Sequence, residues 1–292
     1  MTTEIVRPEP GTLPGRAVPY VLKAGEGKCH LVAGQIIHTL AGTHETGGGY
    51  GVVTCRAGRD RRAIPLHWHA REHDTWLCIR GSVEVWSQDR SHVLLPGEFA
   101  YVRPGDKHSY QSRSPDTFFL GVVAPGGWEE FFDEAGEVWN STELPPPDRP
   151  FDFARLGRAI GKYGVMVVEN QFYCEPTPDA VLDNPPGAPQ SYYLAAGSRA
   201  IISGAESSGT VGMRLVEAAD GAAYLHREAH EFIYVLDGHL RLVLGDQTEL
   251  LGPGDGANIP ANAPRALTAV DGPARYVSTV SGGGGESDVV FL

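Results

Sequence analysis

The chain repeats a set of spaced residues at one fixed offset, and this repeat restricts its possible folds more than any other feature. Adding 157 to a position in the first half gives its counterpart in the second half. The corresponding positions hold histidines and glycines: His69 and His226, Gly81 and Gly238, and Gly97 and Gly254. Self-similarity at a fixed offset indicates a duplicated structural unit, so we expect two similar domains in tandem.

Turn-forming residues are frequent, since the 292 residues include 37 glycines and 22 prolines. Many short strands joined by turns predict antiparallel barrels or jelly rolls, and the length fits two domains of about 100–200 residues each. We therefore expect an all-β fold. The first domain is predicted in residues 1–145, a linker with a short helix in 146–185, and the second domain in 186–292.

Two segments after the first set of strands depart from the strand pattern. Apolar residues at 128, 131, 132 and 135 recur with a helical period and predict a short amphipathic helix. Asp152 is a typical N-cap and Gly164 a typical stop, which predicts a helix from Phe153 to Lys162. The apolar residues 289–292 predict an edge strand at the end of the chain.

The formal net charge of −12 disfavours nucleic acid and anionic membranes as partners, because contacts with phosphate need clustered lysine and arginine. The four cysteines form no Cys-x-x-Cys pair, which is typical of a reducing compartment. No apolar signal core is present at the N-terminus, and no apolar run approaches the ~18 residues of a membrane span. We therefore expect a cytoplasmic protein.

A set of potential metal ligands occurs in the first repeat. His67 and His69 alternate on a predicted strand, so their side chains share one face, and Asp74 begins the next strand. A distant hairpin supplies His108. Three imidazoles and a carboxylate suit Fe, Mn, Ni, Cu, Co or Zn and leave coordination positions open. These four residues therefore predict a site for one divalent transition metal.

The second repeat has lost most of this set. Tyr224 and Arg265 replace two of the imidazoles, and Glu231 corresponds to Asp74. An arginine beside a cation is electrostatically unfavourable, and buried charges are usually paired. We expect Arg265 and Glu231 to form a buried ion pair that fills the former site. The alternative is a second pocket that binds an anion.

These spacings, His-x-His-x4-Asp-x6-Gly followed by Gly-x10-His, resemble the two-motif signature of the cupin superfamily. Residues 65–127 further resemble the N-terminal domain of the quercetin 2,3-dioxygenases, which are bicupin flavonol dioxygenases. The likeness is carried by His67-Trp68-His69, Trp76 to Gly81, Leu94 to Phe99, His108-Ser109-Tyr110, Pro115-Asp116-Thr117 and Val122 to Phe132. It implies two cupin jelly-roll barrels in tandem, with short helices between and after them.

The resemblance also implies a reaction. In that family three histidines and a glutamate hold the metal in the N-terminal barrel, which assigns His67, His69 and His108 as ligands here. The carboxylate removes the flavonol's hydroxyl proton, O2 is the co-substrate, and the heterocycle opens with release of carbon monoxide. Asp74 stands where the family has glutamate. Glu72 is the alternative carboxylate, as ligand or as base.

A flat aromatic substrate needs an apolar slot with few polar anchors. The candidate slot residues are Tyr50, Trp76, Tyr110, Trp128, Phe131 and Phe132. Two other functions fit the same residues. One is a cupin metalloenzyme of the same lineage acting as a tailoring oxygenase, lyase or isomerase on another enolisable aromatic. The other is a non-enzymatic bicupin, which three converging imidazoles disfavour. Exposed barrel edges are compatible with a homodimer.

Overall fold

The structure is a computed structural model. It describes residues 4–59, 64–87, 90–146, 149–168, 190–193, 199–218, 223–282 and 289–291. Within these residues, strands greatly outnumber helices, and no helix has the length and apolar character needed to cross a membrane. The all-β class predicted from the sequence is confirmed.

The first barrel consists of two antiparallel sheets. The larger sheet contains, in spatial order, β12 (Glu137–Val138), β2 (Lys28–Val32), β3 (Gln35–Ala41), β4 (Gly51–Ala57), β11 (Thr117–Val123), β6 (Asp74–Arg80), β9 (Glu98–Val102) and β14 (Gln190–Tyr193). The smaller sheet contains β13 (Met166–Val167), β5 (His67–Trp68), β10 (His108–Ser112), β7 (Val83–Ser87) and β8 (Arg90–Leu94). Because successive side chains alternate between faces, apolar residues such as Ile37, Val53 and Phe119 meet inside this barrel.

The second barrel is built around one branched sheet. Its main path contains β1 (Tyr20–Leu22), β20 (Gly256–Ile259), β18 (Glu231–Leu244), β21 (Arg265–Ser281), β16 (Val211–Ala218) and β15 (Arg199–Ile202). Three further strands attach to this path: β19 (Gln247–Leu251), β17 (Ala223–His226) and β22 (Val289–Phe291). In the described part of the chain β22 pairs only with β17, so the edge strand predicted at the end of the chain is confirmed.

The two halves of the chain exchange strands. β1, from the N-terminal segment, pairs with β20 of the second barrel and places Val21 opposite Ala257. In return, β14 pairs with β9 of the first barrel and places Ser191 opposite Ala100. β13, which lies between the halves in sequence, pairs with β5 of the first barrel. Each barrel is therefore completed by residues from outside its own continuous stretch of sequence.

Both described helices come after β11 and before β13 in sequence. α1 covers Glu130–Ala135 and buries Phe131. α2 covers Phe153–Lys162, the bounds predicted from the sequence, and the Asp152 carboxylate accepts a hydrogen bond from the amide of Arg155 at 2.9 Å. The guanidinium of Arg155 also donates to two backbone carbonyls of α1, at 2.6 and 3.4 Å. These hydrogen bonds fasten α2 against α1.

A core of buried residues lies between the barrels. Tyr20, Tyr50, Phe99 and Phe232 belong to it, and each is almost completely shielded from solvent. The hydroxyl of Tyr20 donates to the carbonyl of Leu40 at 2.7 Å, so that its polar end is satisfied. Large aromatic side chains dominate the energetics of buried contacts, and these four therefore hold the two barrels together.

Candidate metal centre

Three histidine side chains from separate stretches of sequence converge inside the first barrel. His67 in β5 lies directly opposite His108 in β10, because the two strands pair antiparallel in that register. The ring centroid of His69 lies 5.1 Å from that of His67 and 5.2 Å from that of His108. All three residues are buried, and one nitrogen from each ring lies within 4.8 Å of the others. Such a cluster can hold one metal ion.

Backbone carbonyls orient two of these rings. Nδ1 of His67 lies 2.8 Å from the carbonyl oxygen of Pro65, and Nδ1 of His108 lies 2.9 Å from that of Asp106. A carbonyl oxygen only accepts, so each Nδ1 carries a proton and donates it. In a neutral ring with this tautomer, Nε2 presents a lone pair, which is the arrangement that metal-binding histidines have.

Burial keeps the imidazoles of His67 and His69 uncharged. Desolvation, followed by the neighbouring imidazoles, holds the pKa of His67 well below its usual range. Desolvation and His108 lower the pKa of His69 to about 3. In the described part of the chain, neither ring nitrogen of His69 nor Nε2 of His108 has a hydrogen-bond partner. Buried polar atoms are normally satisfied, so these nitrogens without a hydrogen-bond partner fit a metal ion.

A carboxylate lies beside the imidazoles. Asp74 is the first residue of β6, and its Oδ2 atom lies 3.5 Å from Nε2 of His108 and 3.9 Å from Nε2 of His69. Its Oδ1 atom accepts a hydrogen bond from the amide of Thr75 at 2.8 Å, which fixes the carboxylate plane. Glu72 is partly exposed, and its carboxylate accepts from the amide of the preceding residue at 3.4 Å. Within the described contacts, Asp74 reaches the cluster and Glu72 does not.

A cavity of about 120 Å³ opens beside this cluster. Its wall combines members of the cluster with aromatic and aliphatic residues of both sheets and both helices: His67, Asp74, Trp76, Tyr110, Phe119, Trp128, Phe131, Phe132, Leu156 and Ile160. The ring of Trp76 meets His108 at a steep angle, with centroids 5.7 Å apart, and the ring of Trp128 meets His69 in the same way at 4.9 Å. An aromatic slot therefore adjoins the ligand cluster.

The corresponding position in the second barrel holds an ion pair. The guanidinium of Arg265, only 1% exposed, donates to the carboxylate of Glu231, and the hydroxyl of Ser278 donates to the same carboxylate. Burial alone would raise the pKa of Glu231, but Arg265 and His226 outweigh burial and lower it. The ion pair predicted from the sequence is confirmed. Among the described residues no second cluster of three metal-ligand side chains exists.

Comparisons with known proteins agree with this architecture. Residues 213–280 match the family model of the Cupin domain, and residues 49–145 match that of the AraC-like ligand binding domain. A solved structure of Bacillus subtilis oxalate decarboxylase, a protein with Mn(II) centres, superposes with a TM-score of 0.58. It is 19% identical, and the match covers 93% of this chain and 79% of that one. The chain has the bicupin fold, which is two cupin barrels in tandem.

The chain is also similar to quercetin 2,3-dioxygenases. It is 31% identical to the enzyme from Bacillus subtilis (strain 168) over 157 residues, which are 54% of this chain and 46% of that protein. It is 32% identical to the enzyme from Aspergillus japonicus over 92 residues, which are 30% of this chain and 26% of that protein. The resemblance identified in the sequence is confirmed, over matches that span less than half of each relative.

Tyr50 does not lie in the slot where we expected it. The bicupin buries its ring completely in the core between the barrels. Val53 and Cys55 of β4 line the cavity. Side chains alternate between the two faces of a strand, so the even-numbered residues, including Tyr50 just before β4, face the second barrel. Burial, followed by the charge of Glu231, raises the pKa of Tyr50 well above its ordinary value. The other expected slot residues all line the cavity: Trp76, Tyr110, Trp128, Phe131 and Phe132.

Gln35 lines the cavity although the sequence did not indicate it. Its side-chain oxygen accepts hydrogen bonds from the hydroxyl of Tyr110 at 2.7 Å and from the thiol of Cys55 at 3.6 Å. The alternation along β3 shows which residues share a face with Gln35, but it does not show which face of the strand turns toward a site. Leu156 and Ile160 of α2 were missed for a related reason, because a helical period identifies an apolar face and not what it covers.

Proposed function

We propose that this bicupin is a metal-dependent dioxygenase that opens the heterocycle of a flavonol-like substrate with O2. The proposal rests on three buried, converging imidazoles and Asp74 that adjoin an aromatic-lined cavity. The similarity to quercetin 2,3-dioxygenases supports the same reaction class. Oxygen chemistry of this kind uses a metal with open coordination positions, which a set of three histidines and a carboxylate provides.

His67, His69 and His108 would hold one divalent transition ion, and Asp74 can add a carboxylate ligand. Imidazole and carboxylate donors suit Fe, Mn, Ni, Cu or Co. When bound, such an ion supplies Lewis-acid stabilisation of a substrate enolate near neutral pH. The carbonyls that accept from Nδ1 of His67 and His108 would hold both rings in place during turnover.

Asp74 is the proposed general base. Its Oδ1 atom is engaged by the amide of Thr75, which leaves Oδ2 to accept the hydroxyl proton of a substrate in the adjoining cavity. Aspartate is shorter than glutamate by about 1.5 Å of reach. The position of Asp74 at the start of β6 compensates for this shorter reach, because its Oδ2 atom lies 3.5 Å from Nε2 of His108. Glu72 is the alternative base, on the loop just before that strand.

The cavity walls would orient the substrate ring. Trp76 and Phe132 offer apolar surface on which a flat ring can pack. The indole N–H of Trp128 is buried, and in the described part of the chain it has no hydrogen-bond partner, so it can donate to a substrate oxygen. The hydroxyl of Tyr110, held by Gln35, supplies a second polar anchor. Apolar walls with few polar anchors are typical of small-molecule sites.

A second candidate is a bicupin metalloenzyme with another reaction, as a tailoring oxygenase, lyase or isomerase, on a smaller enolisable aromatic. The cavity volume of about 120 Å³ favours it. Pockets for drug-sized ligands are roughly 300–1,000 Å³, so a flavonol requires the walls to move outward. Leu156 and Ile160 of α2 are wall residues that an outward movement of this helix would displace.

Absorption spectroscopy distinguishes the two candidates. Samples loaded in parallel with Fe(II), Mn(II), Ni(II), Co(II) or Cu(II) are mixed with quercetin, and the visible band of the flavonol is followed under air and under argon. Loss of the band that requires O2 supports the flavonol dioxygenase. Stoichiometric metal with a stable band favours the second candidate, and failure to bind any of these ions contradicts both. His69→Ala should abolish turnover, whereas the matched variant His226→Ala should retain it.

A further inference from the structure

His73, the residue before Asp74, is held on two sides. Its amide donates to the carbonyl of Ala124 at 2.7 Å, and the amide of Ala124 donates back to the carbonyl of His73 at 3.1 Å. Nδ1 of His73 lies 2.7 Å from the hydroxyl oxygen of Tyr101, and the two rings stack with centroids 5.7 Å apart. The residue that carries the carboxylate therefore follows one whose backbone and side chain are both fixed.

The hydroxyl of Tyr101 extends this contact into the second half of the chain. It donates to the backbone carbonyl of Glu206 at 3.3 Å. A hydroxyl has a single proton, so the same oxygen accepts from the Nδ1–H of His73. Glu206 lies in a tight turn that its own carboxylate closes by accepting from the amide of Ser203 at 2.8 Å. The contact thus ends on a restrained backbone group of the second barrel.

The second barrel contains an incomplete counterpart of this contact. The offset of 157 residues relates His73 to His230, Ala124 to Ser281, and Tyr101 to Asn258. The backbone contact is kept, since the amide of Ser281 donates to the carbonyl of His230 at 3.0 Å. Asn258 also reaches the other half, because its side-chain amide donates to the carbonyl of Glu45 at 3.3 Å. In the described residues, however, Nδ1 of His230 has no hydrogen-bond partner.

The turns at the far ends of the two contacts are equivalent. The carboxylate of Glu45 accepts from the amide of Gly42 at 3.0 Å, just as that of Glu206 accepts from the amide of Ser203. Both barrels therefore present a turn carbonyl to the opposite barrel. Among the described residues, only those of the first barrel connect that carbonyl, through a side-chain hydrogen bond, to the histidine that precedes the carboxylate residue. That barrel is also the one with the metal-ligand set.

We infer that Tyr101 is a positioning residue for Asp74, and that the Glu206 turn of the second barrel acts through it. This role presupposes the proposed function, in which Asp74 ligates the metal or takes the substrate proton. The short side chain of Asp74 can correct little for a shift of its backbone, and catalytic groups have to lie within about 0.5 Å of their productive position. The second barrel, which holds an ion pair in place of a metal-ligand set, then contributes to the reaction by positioning the carboxylate of the first barrel.

Tyr101→Phe tests this role, since it removes the hydroxyl and keeps the ring that stacks on His73. Tyr20→Phe is the matched control, because it also removes a buried hydroxyl that donates to a backbone carbonyl, at 2.7 Å. Each variant is loaded with Co(II), and its visible spectrum is recorded before any turnover. We expect both to bind the ion as the wild type does, with an altered spectrum for Tyr101→Phe alone. Its kcat should fall about 10- to 100-fold at a nearly unchanged KM.

His73→Phe provides a second route to the same bond, in case Tyr101→Phe folds poorly. It keeps an aromatic ring against Tyr101 and removes Nδ1. Because both substitutions break one hydrogen bond, the double variant should change the Co(II) spectrum and kcat no more than either single variant. Additive effects, or a Tyr101→Phe spectrum identical to that of Tyr20→Phe, overturn the positioning role alone. A wild-type protein that binds none of Fe(II), Mn(II), Ni(II), Co(II) and Cu(II) overturns the proposed function together with it.

Discussion

Oδ2 of Asp74 and Nε2 of His108 lie 3.5 Å apart, although one residue belongs to the larger sheet of the first barrel and the other to the smaller sheet. The contact forms because the first residues of β6 and β10 meet inside the barrel. β10 also pairs with β5, which places His108 opposite His67. The larger sheet supplies the carboxylate, and the smaller sheet supplies the imidazoles of His67 and His108. The third imidazole, of His69, comes from the residue just after β5. The site therefore depends on how the two sheets close.

Replacing the carboxylate tests its chemical role. Asp74→Asn keeps the shape of the side chain and removes its charge, so we expect the three histidines to retain metal while turnover falls about 100-fold or more. Glu72→Gln should change turnover less than twofold, because the described hydrogen bond of its carboxylate is to the backbone amide of Arg71 and not to an imidazole. Steady-state kinetics and metal analysis of both variants check this. A large loss in Glu72→Gln with near-normal Asp74→Asn would transfer the role to Glu72.

The buried ion pair of the second barrel should be a strong determinant of stability. Arg265→Met leaves the carboxylate of Glu231 buried without its main partner, which we expect to reduce the free energy of unfolding by about 3–5 kcal/mol. Urea denaturation measures the loss. Arg7→Met, which removes the exposed pair with Glu249, should cost less than about 1 kcal/mol. Equal losses of unfolding free energy in the two variants would mean that the buried ion pair contributes no more to stability than the exposed one.

Adding Glu231→Leu to Arg265→Met should recover much of the lost stability. The double variant replaces both charges by apolar side chains, and buried ion pairs exchanged for packed hydrophobic residues are often neutral or stabilising. If the double variant is less stable than Arg265→Met alone, the carboxylate has other favourable interactions, for example with Ser278, that outweigh its desolvation.

His69 should make the metal-free protein sensitive to acid. Its pKa is about 3 in the folded state and about 6.5 in the unfolded chain, so the unfolded chain binds more protons between these values. The free energy of unfolding should therefore fall as the pH drops below about 6.5, by up to about 1.4 kcal/mol per pH unit for this group. Urea denaturation of metal-free His69→Gln between pH 7 and 5 should give a flatter dependence. Parallel curves for the variant and the wild type would show that His69 is not buried in its neutral form.

The duplicated fold and the site components could be predicted because short local patterns carry them. Asp152 and Gly164 mark the two ends of α2, and the structure gives the helix the predicted bounds. The alternation of His67 and His69 predicts a shared face on one strand; the two rings do converge, although β5 ends at Trp68, one residue before His69. The replacement of an imidazole by Arg265 was enough to predict the ion pair with Glu231, because a buried cation needs an anion.

The positions of other residues depend on tertiary contacts that no local pattern shows. Strand alternation divides β4 into two faces, but it does not show that the face near Tyr50 meets the second barrel. The exchange of β1 and β14 between the barrels pairs residues far apart in sequence. The hydrogen bond between His73 and Tyr101 likewise depends on the pairing of β6 with β9 and on a turn from the other barrel.

The number of metal ions bound per chain is the most direct test of a single site in the first barrel. Wild-type protein and the variants His69→Ala and His226→Ala are loaded with one divalent transition metal, freed of excess ion and analysed by plasma emission. We expect one ion per chain in the wild type and in His226→Ala, and none in His69→Ala. Two ions per chain, or an ion retained by His69→Ala and lost from His226→Ala, would contradict the assignment of the site.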